Sequence, residues 1–359
     1  MGLIKGSASF VEFIVDGNLP KADTFNFIAD RVKQFSFKDI DDTYDEYSVG
    51  WVSVLNMFDS SFAYSNHVVG DYVVLSLRVD ERKVPGAILK KCIALEVVRV
   101  KAEKQIPKIG RAMLAEIKMR VRTDLIRKAK PTPTVADVLW DTANNRVLLF
   151  STNKSMQAIL QDWFKETFGL DIAQVNPDEL LIAAINASPN PSYITTEPVI
   201  GREFLTWLWY RSTEDNGIFH IGDDINIEVG DKIHLESVNP GEKVVCSNSD
   251  DEARKALAVG KMVEQIDLII DRDEIVIPLT LTASTFYYKG VKLPKTAKTE
   301  SGEEDGFILE RVYLFLKALD SVRDLFNEFV NQRISSDWSA GQGLLLDQWR
   351  LDEKVNEID

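Results

Sequence analysis

Apolar residues recur along this chain with two different periods, and the switches between them mark its elements. Across residues 8–15 they alternate loosely, which is the period of a strand. Asn18-Leu19-Pro20 then opens a helix of about fifteen residues, because proline is suited to a first helical turn. Phe25, Ile28, Ala29, Val32 and Phe35 fall on or near one side of it. Residues 50–58 and 71–79 read as two more strands, so the first unit is a small sheet with a packed helix. After Val84-Pro85-Gly86 the pattern becomes helical over residues 87–105 and again, more sharply, over residues 106–129. In the second stretch Ile109, Met113, Ile117 and Val121 share one side with Ile106 close by, while Lys104, Lys108, Arg111, Lys118 and Arg122 cluster opposite. One continuous helix there would be about 36 Å long.

Lys130-Pro131-Thr132-Pro133 ends that helix, since proline removes a donor and restricts the residue before it. Residues 135–151 read as a hairpin turning at Asn144-Asn145, followed by a helix to about Phe168 that buries Met156, Ile159, Leu160, Trp163 and Phe164. The turn-rich residues 186–192 suggest a boundary. Residues 203–211, with Trp207 and Trp209, fit a helix and a strand equally well. Residues 225–236 look like a hairpin through Gly230-Asp231, residues 250–264 like a helix, and residues 266–270 and 274–286 like strands. A polar loop at 295–306 precedes a long amphipathic helix over 307–333; beyond Ser335 helix and loop remain open. The class expected is α+β, with small antiparallel or mixed sheets and long amphipathic helices. Its units are residues 1–82, a basic helical region at 83–131, a hairpin-helix unit at 132–192, an α+β unit at 193–335, and a tail at 336–359.

Charge changes this picture most. Between Arg82 and Lys130 stand fifteen Lys or Arg against Glu96, Glu103, Glu116 and Asp124, a balance of +11. The whole chain has 42 basic and 56 acidic residues, so the remainder carries 27 − 52 = −25. Concentrated positive charge on an acidic body points to a directed face for a polyanion, the acidic remainder repelling it elsewhere. Lys and Arg would neutralise phosphates without reading bases, which implies weak sequence preference and strong salt dependence. Arg111, Lys118 and Arg122 lead that set. The bland alternative is a charged face paired with an acidic surface of this or another protein.

The remaining chemistry is sparse. With 45% apolar residues the chain can build a sizeable core in two or three domains. The sequence suggests no leader or membrane span, so a cytoplasmic protein is expected. Cys92 and Cys246 read as reduced thiols, and His67, His220 and His234 give little support to a zinc site. There is no GxxxxGK[ST], HExxH or GxSxG motif, and no cofactor is expected. Asp223-Asp224 and Asp271-x-Asp273 are the carboxylate pairs a metal-dependent nuclease would use, but in so acidic a chain a structural or solvated role is the better reading. Trp140, Trp163, Trp207 and Trp209 fit a core better than a base-stacking platform. Gly217, Gly230 and Gly260 fit turns or close packing, Gly260 within a helix.

Three segments together resemble the bacterial recombination-associated RdgC family. They are LKKCIALEVVRVKAEKQ at 89–105, VLWDTANNRVLLFSTNKSMQAILQDWFKETFG at 138–169, and EARKALAVGKMVEQIDLIID at 252–271, with its Gly260-Lys261 step. Their order and spacing carry the likeness, which extends weakly through Gly50-Trp51-Val52. The loop before the final long helix, the tail, and the linker between the basic helices depart from the family pattern. The resemblance implies a homodimer closed into a ring around duplex DNA, binding without marked sequence preference and restraining RecA at the nucleoid. It places Lys90, Lys91, Arg99, Lys101, Lys104, Lys108, Arg111, Lys118 and Arg122 in the family's basic helical region, with no catalytic, cofactor or metal residue. A metal-dependent nuclease and a scaffold for an acidic partner are the competing expectations.

Overall fold

The computed structural model describes residues 2–4, 6–20, 23–62, 67–188, 200–214, 218–221, 224–237, 243–247, 251–295 and 304–351. The boundary expected at 186–192 falls largely outside them, as do Gly217 and Asp223. The first half runs β1 (Ala8–Asp16), α1 (Thr24–Gln34), β2 (Tyr47–Val52), β3 (Val68–Val69), β4 (Tyr72–Arg82), α2 (Gly86–Lys104), α3 (Arg111–Lys128), β5 (Pro131–Asp141), β6 (Arg146–Leu149), α4 (Lys154–Phe168), β7 (Asp171–Gln174) and α5 (Pro177–Ala187). The second runs α6 (Ile200–Glu214), β8 (Ile218–Ile221), β9 (Ile225–Glu236), β10 (Lys243–Ser247), α7 (Asp251–Ala258), β11 (Met262–Arg272), β12 (Ile275–Thr282), β13 (Tyr288–Val291) and α8 (Glu304–Arg333). A 3₁₀ turn (Trp338–Ala340) and α9 (Gln342–Leu351) follow.

The strands form one open sheet in the order β10-β9-β11-β12-β13-β1-β6-β5-β4-β2, with β3, β7 and β8 pairing β4, β1 and β9. All of these pairings are antiparallel. The small sheets expected from sequence are therefore joined, and β1 is the joint. Its side chains alternate between two cores, as a strand's must. Val11, Phe13 and Val15 enter a core with Ile28 and Val32 of α1 and Met156, Leu160 and Phe164 of α4. Ala8 and Phe10 enter the larger core with α6, α8 and the inner faces of β9, β11 and β12. Trp140, Trp207 and Trp209 are buried, as their apolar surroundings predict, and Trp163 packs at the edge of the first core.

Several local readings change in the structure. The helix after Pro20 begins only at Thr24, and the strand expected at 50–58 is β2, which ends at Val52 before a turn closed from Ser53 N–H to the Asp59 carbonyl. Residues 203–211 are α6, a helix whose apolar surface is buried nearly all round and so leaves no amphipathic period. The hairpin expected at Gly230-Asp231 is instead one twelve-residue strand, β9. A Cβ on Gly230 would lie 2.9 Å from the Asp267 Cβ on β11, so the glycine permits close approach of neighbouring strands and makes no turn. Gly230→Ala is expected to cost about 1–2 kcal/mol in urea unfolding, the range of an overpacked contact. Gly260 shows the opposite exchange: it ends α7 in a left-handed conformation, φ +88°, and a methyl added there would meet nothing within 4 Å. Past Ser335, α9 returns to the body, where Trp349 meets Trp209 and Tyr210. Among the described residues no helix is long and apolar enough to cross a membrane.

Candidate nucleic-acid interface

The basic region is an arm. Strands β4 and β5 pair without interruption from Tyr72↔Asp141 to Arg82↔Pro131, and α2 and α3 extend from the end of that ladder as an antiparallel helical hairpin. The two helices pack chiefly on each other, through Val100, Ile117 and Val121 with Leu89, Cys92, Ile93, Val97, Ile109, Met113 and Leu125. The helix expected from 106 to 129 is shorter, Arg111–Lys128. Gln105 caps α2 in the left-handed region (φ 52°), and α3 starts only after Gly110. Ile106, Lys108 and Ile109 thus belong to the connection, and α3 spans about 27 Å.

Helical phase sorts the arm's charges onto two broad faces. At 3.6 residues per turn, Lys90, Lys101 and Lys104 of α2 lie on the same side of the hairpin as Arg111, Lys118 and Arg122 of α3. These side chains are exposed except Lys101, which is half-buried. Among the described residues only Arg122 of this face has an acidic partner, Glu46 at 3.7 Å. Lys91 stands on the outer edge of α2 and Lys108 in the connection.

The opposite face is internally neutralised. Glu96 accepts from two guanidinium nitrogens of Arg99, at 2.6 and 2.8 Å, and from Arg120 across the hairpin; Arg99 also reaches Glu103 at 2.8 Å. Arg99 is therefore tied into a carboxylate network and is separated from the other candidates. The structure brings Lys90, Lys101, Lys104, Arg111, Lys118 and Arg122 onto one face and places Arg99 on the other. Hydrogen bonding from Arg99, then its charge and Arg120, holds the Glu96 carboxyl at about 2. A carboxyl depressed in this way stabilises the fold above its unfolded value of 4.5 and loses that contribution as pH falls through about 2. The Glu96 carboxyl carbon is expected to titrate near 2 by NMR, and in Arg99→Gln to move back toward the ordinary carboxylate range.

Among the described residues the acidic candidates do not assemble into a metal site. Asp273 receives Lys317 at 2.7 Å, and Asp224 shares Arg272 with Asp324 at 3.2 and 2.8 Å. Asp271 lies at the far end of the β11–β12 ladder, opposite Val276. These ion pairs border a polar cleft of about 560 Å³ that also contains Asp141, Arg146 and Asp320. Its carboxylates are spread along a chain of alternating charges. Among the described residues no group of three or more His, Cys, Asp or Glu is placed to hold a metal ion.

Sequence reasoning missed Arg82, the residue that sets the arm's root. It belongs to the basic island by position, yet it is 7% exposed and its bonds go to backbone carbonyls. Its guanidinium donates to the carbonyls of Asp45 (2.9 Å), Ile40 (2.7 Å), Thr43 (3.0 Å) and Asp41 (3.2 Å), and to that of Ala129 where α3 ends. Nothing in the local pattern distinguishes such a buried arginine from the exposed ones beside it.

The architecture defines an open-sheet α+β protein with a projecting basic arm. Residues 18–185, which contain the arm and most of the first core, match the family model described as "RdgC: Putative exonuclease, RdgC", a match that supports assignment to the RdgC family. No curated protein matches the chain.

Proposed function

We propose that the protein binds duplex DNA without sequence preference through the basic face of the arm, and that it does so as a non-catalytic modulator of homologous recombination or replication. The observation that carries this reading is the segregation of Lys90, Lys101, Lys104, Arg111, Lys118 and Arg122 onto one face, while the other face is neutralised by Glu96 and Glu103. Lys and Arg spaced along two helices suit successive phosphates and offer little for base edges. The resemblance to the RdgC family suggests the setting of this reading, a ring-shaped homodimer at the nucleoid that would restrain RecA by occupying its DNA.

A second copy has a surface to meet. Ile88, Leu95 and Val98 are exposed on the outer side of α2 with Lys91 and Ala102, spaced three and four residues apart. That is the spacing of a seam that another helix covers. Met119 is exposed on the outer side of α3. Two arms meeting through these residues would form a symmetric contact that sets two basic faces side by side.

Affinity for two unrelated duplexes, measured over a salt series, tests the reading. Equal binding to both is expected, with log K falling linearly in log salt. Binding insensitive to salt, or confined to one sequence, overturns it. The family description raises an exonuclease as the second reading, and labelled DNA incubated with magnesium or manganese separates the two: ends and backbone are expected to stay intact. Capture of an acidic protein that survives nuclease treatment and exceeds DNA affinity would favour a scaffold instead.

A further inference from the structure

The root of the arm is occupied by the protein itself. Residues 39–46, Asp-Ile-Asp-Asp-Thr-Tyr-Asp-Glu, precede β2 and carry five carboxylates, all exposed. Two contacts join this loop to α3. Glu46 faces Arg122 at 3.7 Å, and the Arg127 guanidinium sits over the Tyr44 ring, 5.6 Å from its centre. Helical phase puts Ile126 between those two arginines on the outer edge of α3, and Ile126 is only 3% exposed on an edge where Ala112, Ala115 and Met119 are in water. The loop therefore lies along that edge at the point where the basic face begins.

Its position is fixed chiefly by backbone, while the Asp39 and Asp45 carboxylates accept local bonds from Asp41 N–H (2.7 Å) and the Thr43 hydroxyl (3.1 Å). Arg82 holds the carbonyls of Ile40, Asp41, Thr43 and Asp45 together with that of Ala129, and the Arg82 N–H donates to the Glu46 carbonyl at 2.9 Å. Ile40 is buried beneath it. The carboxylates are consequently presented outward with no part in holding the loop to Arg82. A cluster of negative charge locked beside a phosphate-binding face competes with phosphate for the cations within a Debye length, about 8–10 Å at ordinary salt.

We infer that the 39–46 loop is an autoinhibitory contact: by pairing with Arg122 and surrounding the arm root with negative charge, it confines a bound polyanion to the distal part of the basic face, from Lys118 to the α2–α3 connection. The inference rests on the DNA-binding reading and specifies how that site is limited. It predicts that the loop weakens binding and reduces the number of phosphates neutralised.

The test is Asp41→Asn, Asp42→Asn, Asp45→Asn and Glu46→Gln in the full chain, with Glu46→Gln alone as the milder variant. The carbonyl clamp of Arg82 is untouched by either. With a fluorescein-labelled duplex, affinity is expected to rise about threefold to tenfold for the four-site variant near 0.15 M salt. The slope of log K against log salt should steepen by about 1, since each added phosphate contact contributes about 0.9. Adding Arg122→Gln should remove the steepening, because Arg122 is the cation released. Binding by the neutralised variants with the parent's affinity and slope overturns the inference and leaves the DNA-binding reading standing. Steepening that survives Arg122→Gln also overturns it, showing only a change in the overall field. If neither parent nor variants bind the duplex at any salt, the DNA-binding reading itself fails, and the inference falls with it.

Discussion

Replacing Lys101, Lys104, Arg111 and Lys118 together by Gln is expected to abolish measurable duplex binding at physiological salt and, at low salt, to flatten the slope of log K against log salt by about 3.6, or about 0.9 for each of four lost phosphate contacts. These four residues are chosen from the basic face because none has an acidic partner among the described residues, so neutralising them leaves no carboxylate unpaired. The loss should be the same for unrelated duplexes, as befits contacts to the backbone. Thermal unfolding should be nearly unchanged, since surface substitutions away from caps and cores usually stay within about 0.5 kcal/mol. The matched control is Arg99→Gln with Arg120→Gln on the opposite face. It removes two charges but breaks the Glu96 bridge, so it should cost some stability of the arm while leaving most of the salt slope in place. If both sets reduce the slope equally, the arm acts through its summed charge and has no preferred face.

The arm shows what periodicity can and cannot reveal. Ile109, Met113, Ile117 and Val121 recur every four residues and mark the side of α3 that packs on α2, with Lys118 and Arg122 set away from that stripe. The same rhythm continues backwards through Ile106 and Lys108 into residues that are not helical. The break is made by Gln105, a residue with no strong turn signal, and by Pro107 and Gly110. The separation of Arg99 from its neighbours needs the second helix: Glu96 is its neighbour three residues away, but Arg120 is brought to the same carboxylate only by the hairpin.

In the body the misread elements share a different cause. Gly230-Asp231 carries a strong local turn signal, yet β9 pairs with β11 on both sides of it, Ile233↔Ile266 and Val229↔Leu268, so the signal is reduced to an irregularity in the ladder, with residues 230–232 opposite Asp267. Where local signal and ladder point the same way, sequence and structure agree: Asn144-Asn145 turns between β5 and β6, with Asn145 at φ 52°. The union of two sheets through β1 was not legible at all. It depends on β13 pairing Ala8 and Phe10 with Val291 and Tyr288, partners that lie near opposite ends of the chain.

Arg82→Met should lower stability by about 3–4 kcal/mol in urea unfolding, more than any other substitution proposed for the arm or the sheet. The guanidinium serves five carbonyls, and methionine, a shorter apolar chain, fills part of its volume while satisfying none. Each buried carbonyl left without a donor costs about 1–3 kcal/mol, and the outer ones recover part of this by meeting water. Lysine is a poor replacement because a single ammonium with three donors cannot span acceptors on both the loop and the end of α3. The effect should also be directional. Arg82 is the last residue of β4 and pairs with Pro131, so it holds the arm's root at the point where both helices leave the sheet. Spin labels at the α2–α3 connection and on α4 should therefore give a broader distance distribution in Arg82→Lys, even at temperatures where that variant remains folded. An unchanged distribution would mean that the β4–β5 ladder alone orients the arm. A broadened one would make Arg82 the residue that converts a mobile basic hairpin into a fixed face, and would connect a buried arginine in the sheet to the placement of every phosphate-binding side chain beyond it.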